Sequence, residues 1–244
     1  MFRVIQTIAR HPKEPLSCLI RSSPPVTSPN LVHKSPQNNL QLAFNFAPLI
    51  RHSSSDSANM AKALVVVADG TEEMEAVITA DVLRRGKVST TIAGLNSAEA
   101  VKCSCGVKLV PDKSLSDAMK EEYDAVVLPG GLGGSEAFCA SSKLGELLKK
   151  QEKAGKICAA ICAAPTAFKA HGIGAGKTLT SYPSMAEKFK GTDYKYVEDH
   201  SVVVDGKLVT SRGPGTAFDF GLKLVELLVD KKTSDEIKAG MLVK

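Results

Sequence analysis

Ile157-Cys158-Ala159-Ala160-Ile161-Cys162-Ala163-Ala164-Pro165 decides how this chain folds. The unbroken apolar run Ile157–Ile161 reads as a strand buried on both faces, the kind found inside parallel sheets. The strand stops at Cys162. Two small residues follow, and Pro165 suits the first turn of a helix. A cysteine at such a strand-to-helix turn mirrors the nucleophile elbow, where neighbours must be small because the backbone is crowded and the side chain is thrust upward.

The same alternation extends in both directions from this segment. Ala63–Ala68 is another buried apolar run. Thr71 is placed to cap the helix after it, with Glu72 and Glu73 in the first turn, where the helix dipole favours acids. Val88–Ala93 reads as the next strand, and Val107–Val110 as part of a short edge hairpin. Asp124–Leu128 is a further buried strand, ending in Pro129-Gly130-Gly131. Val202-Val203-Val204, Asp205-Gly206 and Leu208-Val209-Thr210 read as a hairpin with a type I′ turn dipeptide. Thr216–Val229 and Ser234–Leu242 read as closing helices. Repeated strand–helix units predict an α/β domain, a mostly parallel sheet with helices on both faces. In such sheets the site lies beyond the carboxyl ends of the strands. Three ends are chemically unusual: those leading to Glu75, to Gly130-Gly131 and to Cys162.

Composition narrows the function. No apolar run approaches the ~18 residues that a membrane-spanning helix needs. The net charge of +5 is concentrated in residues 1–59, where six Lys and Arg face only Glu14 and Asp56. The rest carries 25 basic against 24 acidic residues, without the basic stripe that phosphate binding requires, so nucleic acid is not expected as a partner. Of the six cysteines, none forms a CxxC pair, and there is neither a His-rich ligand spacing nor a secretory signal pattern. Free thiols in a reducing compartment are therefore expected, with no metal and no cofactor.

Residues 1–59 hold seven of the twelve prolines and nine serines, a composition that buries no core. At helical period Phe2, Val4, Ile5, Ile8 and Ala9 share one side, and Arg3, Gln6, Thr7 and Arg10 the other. An Arg-rich, Ser-rich, acid-poor amphipathic start is the pattern of a mitochondrial transit peptide, and Arg51-His52 would suit its removal. The plainer alternative is a disordered extension, with Met60 as a second start. The division expected is therefore an extension over 1–59 and one domain over 60–244. The protein is expected in mitochondria and cytoplasm, with the nucleus also open to it.

Within the domain, Cys158 lies mid-strand and reads as a structural cysteine, whereas Cys162 sits where the strand ends and reads as a reactive one. A helix N-terminus beside it would favour the thiolate. Gly130-Gly131 lets the backbone approach a ligand closely, and its amides together with the N–H of Ala163 can form an oxyanion hole. Glu72 and Glu73 read as a solvated helix face. Glu75, in phase with Thr71 and Ile78, points inward, where burial beside a thiolate should raise its pKa and keep it protonated.

Gly70-Thr71-Glu72-Glu73-Met74-Glu75, Leu128-Pro129-Gly130-Gly131, Ala159–Thr166 and Thr210–Thr216, taken together and in order, resemble the signature blocks of the Parkinson disease protein 7 (DJ-one) family, within the ThiJ/PfpI superfamily. The resemblance runs from Met60 to the C-terminus. It implies a flavodoxin-like three-layer sandwich and a homodimer, with Cys162 as the oxidation-prone nucleophile and Glu75 as its protonated partner. It also implies that the amides of Gly131 and Ala163 face the site and that Arg212 and Pro214 lie on a loop beside it. The activities implied are glutathione-independent conversion of methylglyoxal and glyoxal to hydroxy acids, protein deglycation, and redox-regulated chaperone or stress-protective roles.

Two positions depart from the family pattern. Tyr182, in Thr180-Ser181-Tyr182-Pro183, stands where relatives often carry histidine; a phenol, with a reference pKa of ~10, is a poor base at neutral pH. Cys105 stands where relatives commonly carry arginine. Two readings of function follow. In the first, Cys162 attacks a small aldehyde and Glu75 moves a proton. In the second, peroxide oxidises Cys162 and the change alters binding to protein partners not identifiable from sequence. A chaperone that does not need Cys162 is the alternative from another class. A cysteine protease is disfavoured, because its histidine would follow the nucleophile directly and Ala163 stands there.

Overall fold

The computed structural model describes residues 60–244. The expected transit peptide and its cleavage position lie outside these residues. The chain runs β1 (Lys62–Val67), α1 (Glu73–Arg85), β2 (Ser89–Gly94), β3 (Val101–Lys102), β4 (Lys108–Leu109), β5 (Lys113–Ser114), α2 (Leu115–Ala118) and β6 (Ala125–Leu128). It continues through α3 (Leu132–Ala140), α4 (Ser142–Lys153), β7 (Ile157–Ile161), α5 (Pro165–His171), β8 (Thr178–Leu179) and β9 (Lys195–Tyr196). It closes with β10 (Val202–Asp205), β11 (Leu208–Ser211), α6 (Ala217–Leu228) and α7 (Lys231–Gly240).

Seven strands form one sheet in the order β10-β11-β7-β6-β1-β2-β5. Every pairing is parallel except β10 with β11. The apolar runs that mark β1, β6 and β7 occupy the centre, and their side chains are buried almost without exception. From β1 the chain moves to β2 on one side and then returns to β6 on the other. Right-handed crossovers in opposite directions put α1 on one face and α3 and α4 on the other. α1 packs against α6 and α6 against α7, while α3, α4 and α5 pack together. This is the expected flavodoxin-like α/β sandwich. The reversal of strand order between β1 and β6 opens a crevice at their carboxyl ends.

Several local expectations are corrected. Thr71 does not cap α1: its Oγ1 accepts from the N–H of Ala68, closing the loop after β1, and the cap is Glu72, whose Oε2 accepts from the N–H of Glu75 at 2.7 Å. The edge hairpin exists as β3 with β4, but it is a separate two-stranded sheet. In the β10–β11 hairpin Asp205 pairs with Leu208, so the two loop residues are Gly206 and Lys207, one position later than the Asp-Gly dipeptide suggests. Gly206 alone takes positive φ, at 63°, as the first position of a type II′ turn requires. The last helix begins at Lys231, because Asp230 accepts from the N–H of Thr233 and caps it.

Candidate active site

The elbow is built by backbone strain. Cys162 has φ 64°, a left-handed conformation that costs a non-glycine residue about 1–2 kcal/mol. Hydrogen bonds on either side hold it there: its N–H donates to the carbonyl of Ser211 at 3.0 Å, and its carbonyl accepts from the N–H of Tyr182 at 2.7 Å. α5 starts only at Pro165, three residues on, so the helix dipole expected to favour the thiolate is not adjacent to it. The amides of Gly131 and Ala163 are the backbone groups that favour its thiolate.

Glu75 approaches from β1's side of the crevice. As the third residue of α1 it would ordinarily reach back to its own cap. Instead the Gly130 peptide takes both positions: its N–H donates to Glu75 Oε2 at 2.6 Å, and its carbonyl accepts from the N–H of Glu72 at 2.9 Å. Only glycine fits here, since a Cβ on residue 130 would lie 2.5 Å from Cys162 Cβ and 2.7 Å from Glu75 Oε2. Gly131, at φ 85°, leaves no room either: a Cβ there would lie 2.2 Å from the Gly70 carbonyl oxygen.

The electrostatics couple the two side chains. Glu75 is fully buried, and burial, reinforced by the charge of Glu72, raises its carboxyl to about 7 against the pull of the Gly130 N–H. Its Oε1 is buried without a partner, an expensive position for a charged oxygen but a natural one for a proton aimed at sulfur. Burial also pushes the Cys162 thiol up, to about 12, with the charge of Glu75 adding to it; the amides of Gly131 and Ala163 pull it the other way. The thiol therefore does not become acidic by its position on the elbow. A thiolate is favoured here when the proton of the pair resides on Glu75, which removes the opposing charge and supplies a donor.

A cleft of about 250 Å³ opens onto Cys162 and is lined by Glu72, Gly131, Leu132, Ala163, Tyr182 and Ser184. Tyr182 stands at its mouth, 45% exposed, with its ring against Gly213, so the loop carrying Arg212 and Pro214 does border the site. Leu132 and Ser184 were not singled out from sequence; each gains its place from the turn before it. Glu73, expected on a solvated face, is buried. Burial would raise its carboxyl, but the N–H groups of Cys105 and Val107 and the hydroxyl of Ser104 donate to it and hold it below its ordinary value. The ligand atoms of Glu72, Glu73 and exposed Cys105 lie within 4.8 Å of one another. Glu73's oxygens are already engaged by that loop, so the cluster works as a clasp between α1 and the β3–β4 hairpin.

An open parallel sheet bearing a strained cysteine at a strand end, with a buried carboxyl behind it, defines an α/β protein with a cysteine centre. The chain belongs to the DJ-1/PfpI family, whose model matches residues 61–227. It is 54% identical over 181 residues to Protein dj-1beta of Drosophila melanogaster, covering 74% of this chain and 96% of that one. The crystal structure of that fly protein superposes with a TM-score of 0.75, covering 76% of this chain and all of the other. A Caenorhabditis elegans relative named glutathione-independent glyoxalase DJR-1.2 is 40% identical, over 77% of this chain and 100% of its own. The structure of oxidized DJ-1 from Toxoplasma gondii, 37% identical, matches with a TM-score of 0.70 over 75% of this chain and 98% of its own.

Proposed function

We propose that this protein protects against reactive carbonyls and oxidants through Cys162, converting methylglyoxal and glyoxal to hydroxy acids without glutathione and sensing peroxide with the same sulfur. The observation that carries this reading is the placement of Cys162, strained and facing two amides, in front of a buried carboxyl that titrates at about 7. In the aldehyde reaction the thiolate sulfur bonds to the aldehyde carbon of methylglyoxal, and the new alkoxide takes a proton to give a hemithioacetal. Glu75, now a carboxylate, removes the remaining hydrogen of that carbon as a proton and returns it to the neighbouring carbon, while the hemithioacetal hydroxyl proton passes to the neighbouring carbonyl oxygen, which becomes an alcohol. The first carbon is thereby oxidised to a thioester and the second reduced. Water hydrolyses the thioester to lactate and returns the thiol. The amides of Gly131 and Ala163 lie close enough to the sulfur to serve oxygen anions formed beside it.

The sensing reaction uses the same groups. The thiolate takes one oxygen from each of two peroxides, releasing two waters, and ends as a sulfinate to which protonated Glu75 donates a hydrogen bond. The name of the worm relative and the oxidized state of the Toxoplasma protein support the two halves of this reading. Its direct test is lactate formation from methylglyoxal by the purified full chain with glutathione omitted. A chain that leaves methylglyoxal unchanged while still forming sulfinate would leave sensing alone.

Tyr182→His should raise aldehyde turnover several-fold, within the ~10² that one well-placed acid–base group contributes, because imidazole titrates near neutrality at the mouth of the cleft. Steady-state rates of the folded variant check this, and an unchanged kcat would remove proton transfer from this position. The reading extends to a homodimer. Met74 and Val77, one turn apart on α1, are half exposed and offer apolar area for a second copy. Sedimentation equilibrium of the full chain should return twice the monomer mass.

A further inference from the structure

At the opposite end of the sheet from Cys162, a separate cavity of about 290 Å³ opens at the amino ends of β7 and β11, where Cys158 pairs in register with Leu208. Its floor is apolar: Cys158, Ile173 and Leu208 are each buried. Its rim is basic, with Lys156, Lys177 and Lys207 all lining it. The one acidic lining residue, Glu152, is exposed, and its Oε1 accepts from the N–H of Gly174 at 2.6 Å. Lys177 is paired loosely, 3.4 Å from Asp205, and Lys156 sits 3.6–3.7 Å from Asp124 and Glu122. Lys207, at the hairpin tip, makes no ion pair among the described residues.

We propose that this cavity binds a small amphiphilic carboxylate, its apolar body over Ile173, Leu208 and Cys158 and its carboxylate among the three ammonium groups. The volume sits at the lower end of the ~300–1,000 Å³ range of small-molecule pockets, which limits the occupant to one short chain or ring. An apolar floor under a basic rim selects for both features at once, and neither a plain alcohol nor a bare anion supplies both. The Cys158 thiol contributes surface rather than chemistry, since burial pushes it up to about 12 and keeps it protonated.

The test is an amide NMR titration of the full chain with octanoate, with 1-octanol and inorganic phosphate as probes of each half alone. Octanoate should give saturable shifts centred on Cys158, Gly174 and Lys207, and octanol should bind about fivefold or more weakly, the value of one or more exposed ion pairs. Lys207→Met, at a solvent-facing turn, should weaken octanoate without changing octanol, and Cys162→Ser should change neither. Shifts centred instead on Gly131 and Ala163, equal binding of octanol, the same shifts from phosphate alone, or no saturation would each overturn the proposal.

Discussion

Cys162→Ser should lower lactate formation from methylglyoxal by at least ~10³-fold while leaving the fold intact, a loss typical of removing a covalent nucleophile. A serine hydroxyl occupies the same space on the strained elbow and keeps both backbone hydrogen bonds, to Ser211 and Tyr182. What it lacks is an ionisation that Glu75 can balance: the proton of a hydroxyl cannot be shared with a carboxyl titrating at about 7. The same variant should show no sulfinate after mild peroxide, with the remaining thiols slower to react. Cys103 and Cys158 are pushed up by burial to about 11 and about 12, and neither has a hydrogen-bonded carboxylate to take its proton. Peptide mass mapping beside the kinetic assay reads both effects. Turnover in the variant within tenfold of the parent would mean that the aldehyde chemistry occurs elsewhere.

Glu75→Gln should lower the same turnover by ~10²–10⁴-fold, because an amide accepts the Gly130 N–H but carries no proton between carbons. It should also stabilise the protein at alkaline pH. The Glu75 carboxyl titrates at about 7 in the fold against 4.5 ordinarily. Between those values the folded chain holds a proton that the unfolded chain has released, so stability declines as pH rises through this window. Below 4.5 both states are protonated and nothing is lost; above 7 the full cost, about 3 kcal/mol, is present. Glutamine does not ionise, so the variant should exceed the parent by about that amount at pH 8, and the two should converge near pH 4.5. Urea denaturation at the two pH values measures it. A variant that is less stable at pH 8 would show that the carboxylate is well satisfied where it lies, contrary to its unpartnered Oε1.

The central sheet could be read because β1, β6 and β7 are buried on both faces and so leave unbroken apolar runs. Cys162 was legible for a related reason: the run ends at it and only small residues follow. Glu75 followed from helical phase, which is local. Glu73 could not be read this way, since its burial is created by Ser104, Cys105 and Val107, some thirty residues downstream. The thiol's upward shift is likewise a property of the assembled crevice, whose burial outweighs any help from the helix that starts at Pro165. The hairpin turn was misplaced by one residue because Asp-Gly and Gly-Lys both suit two-residue loops, and only the register with β7 decides between them.

The hydrogen bond from the Cys162 amide to the carbonyl of Ser211 has a consequence for the order in which this chain is made. Synthesis proceeds from the N-terminus, and a ribosome releases Glu75, Gly131 and Cys162 well before it reaches β11. Until residue 211 has emerged and β11 has joined β7, the elbow lacks one of its two backbone hydrogen bonds, and Cys162 is a thiol on a growing chain. Glu75, still in water, is then a plain carboxylate. The elbow is thus complete only with the last parallel strand. A molecule that loses β11 by local unfolding loses the Ser211 half of what holds the elbow.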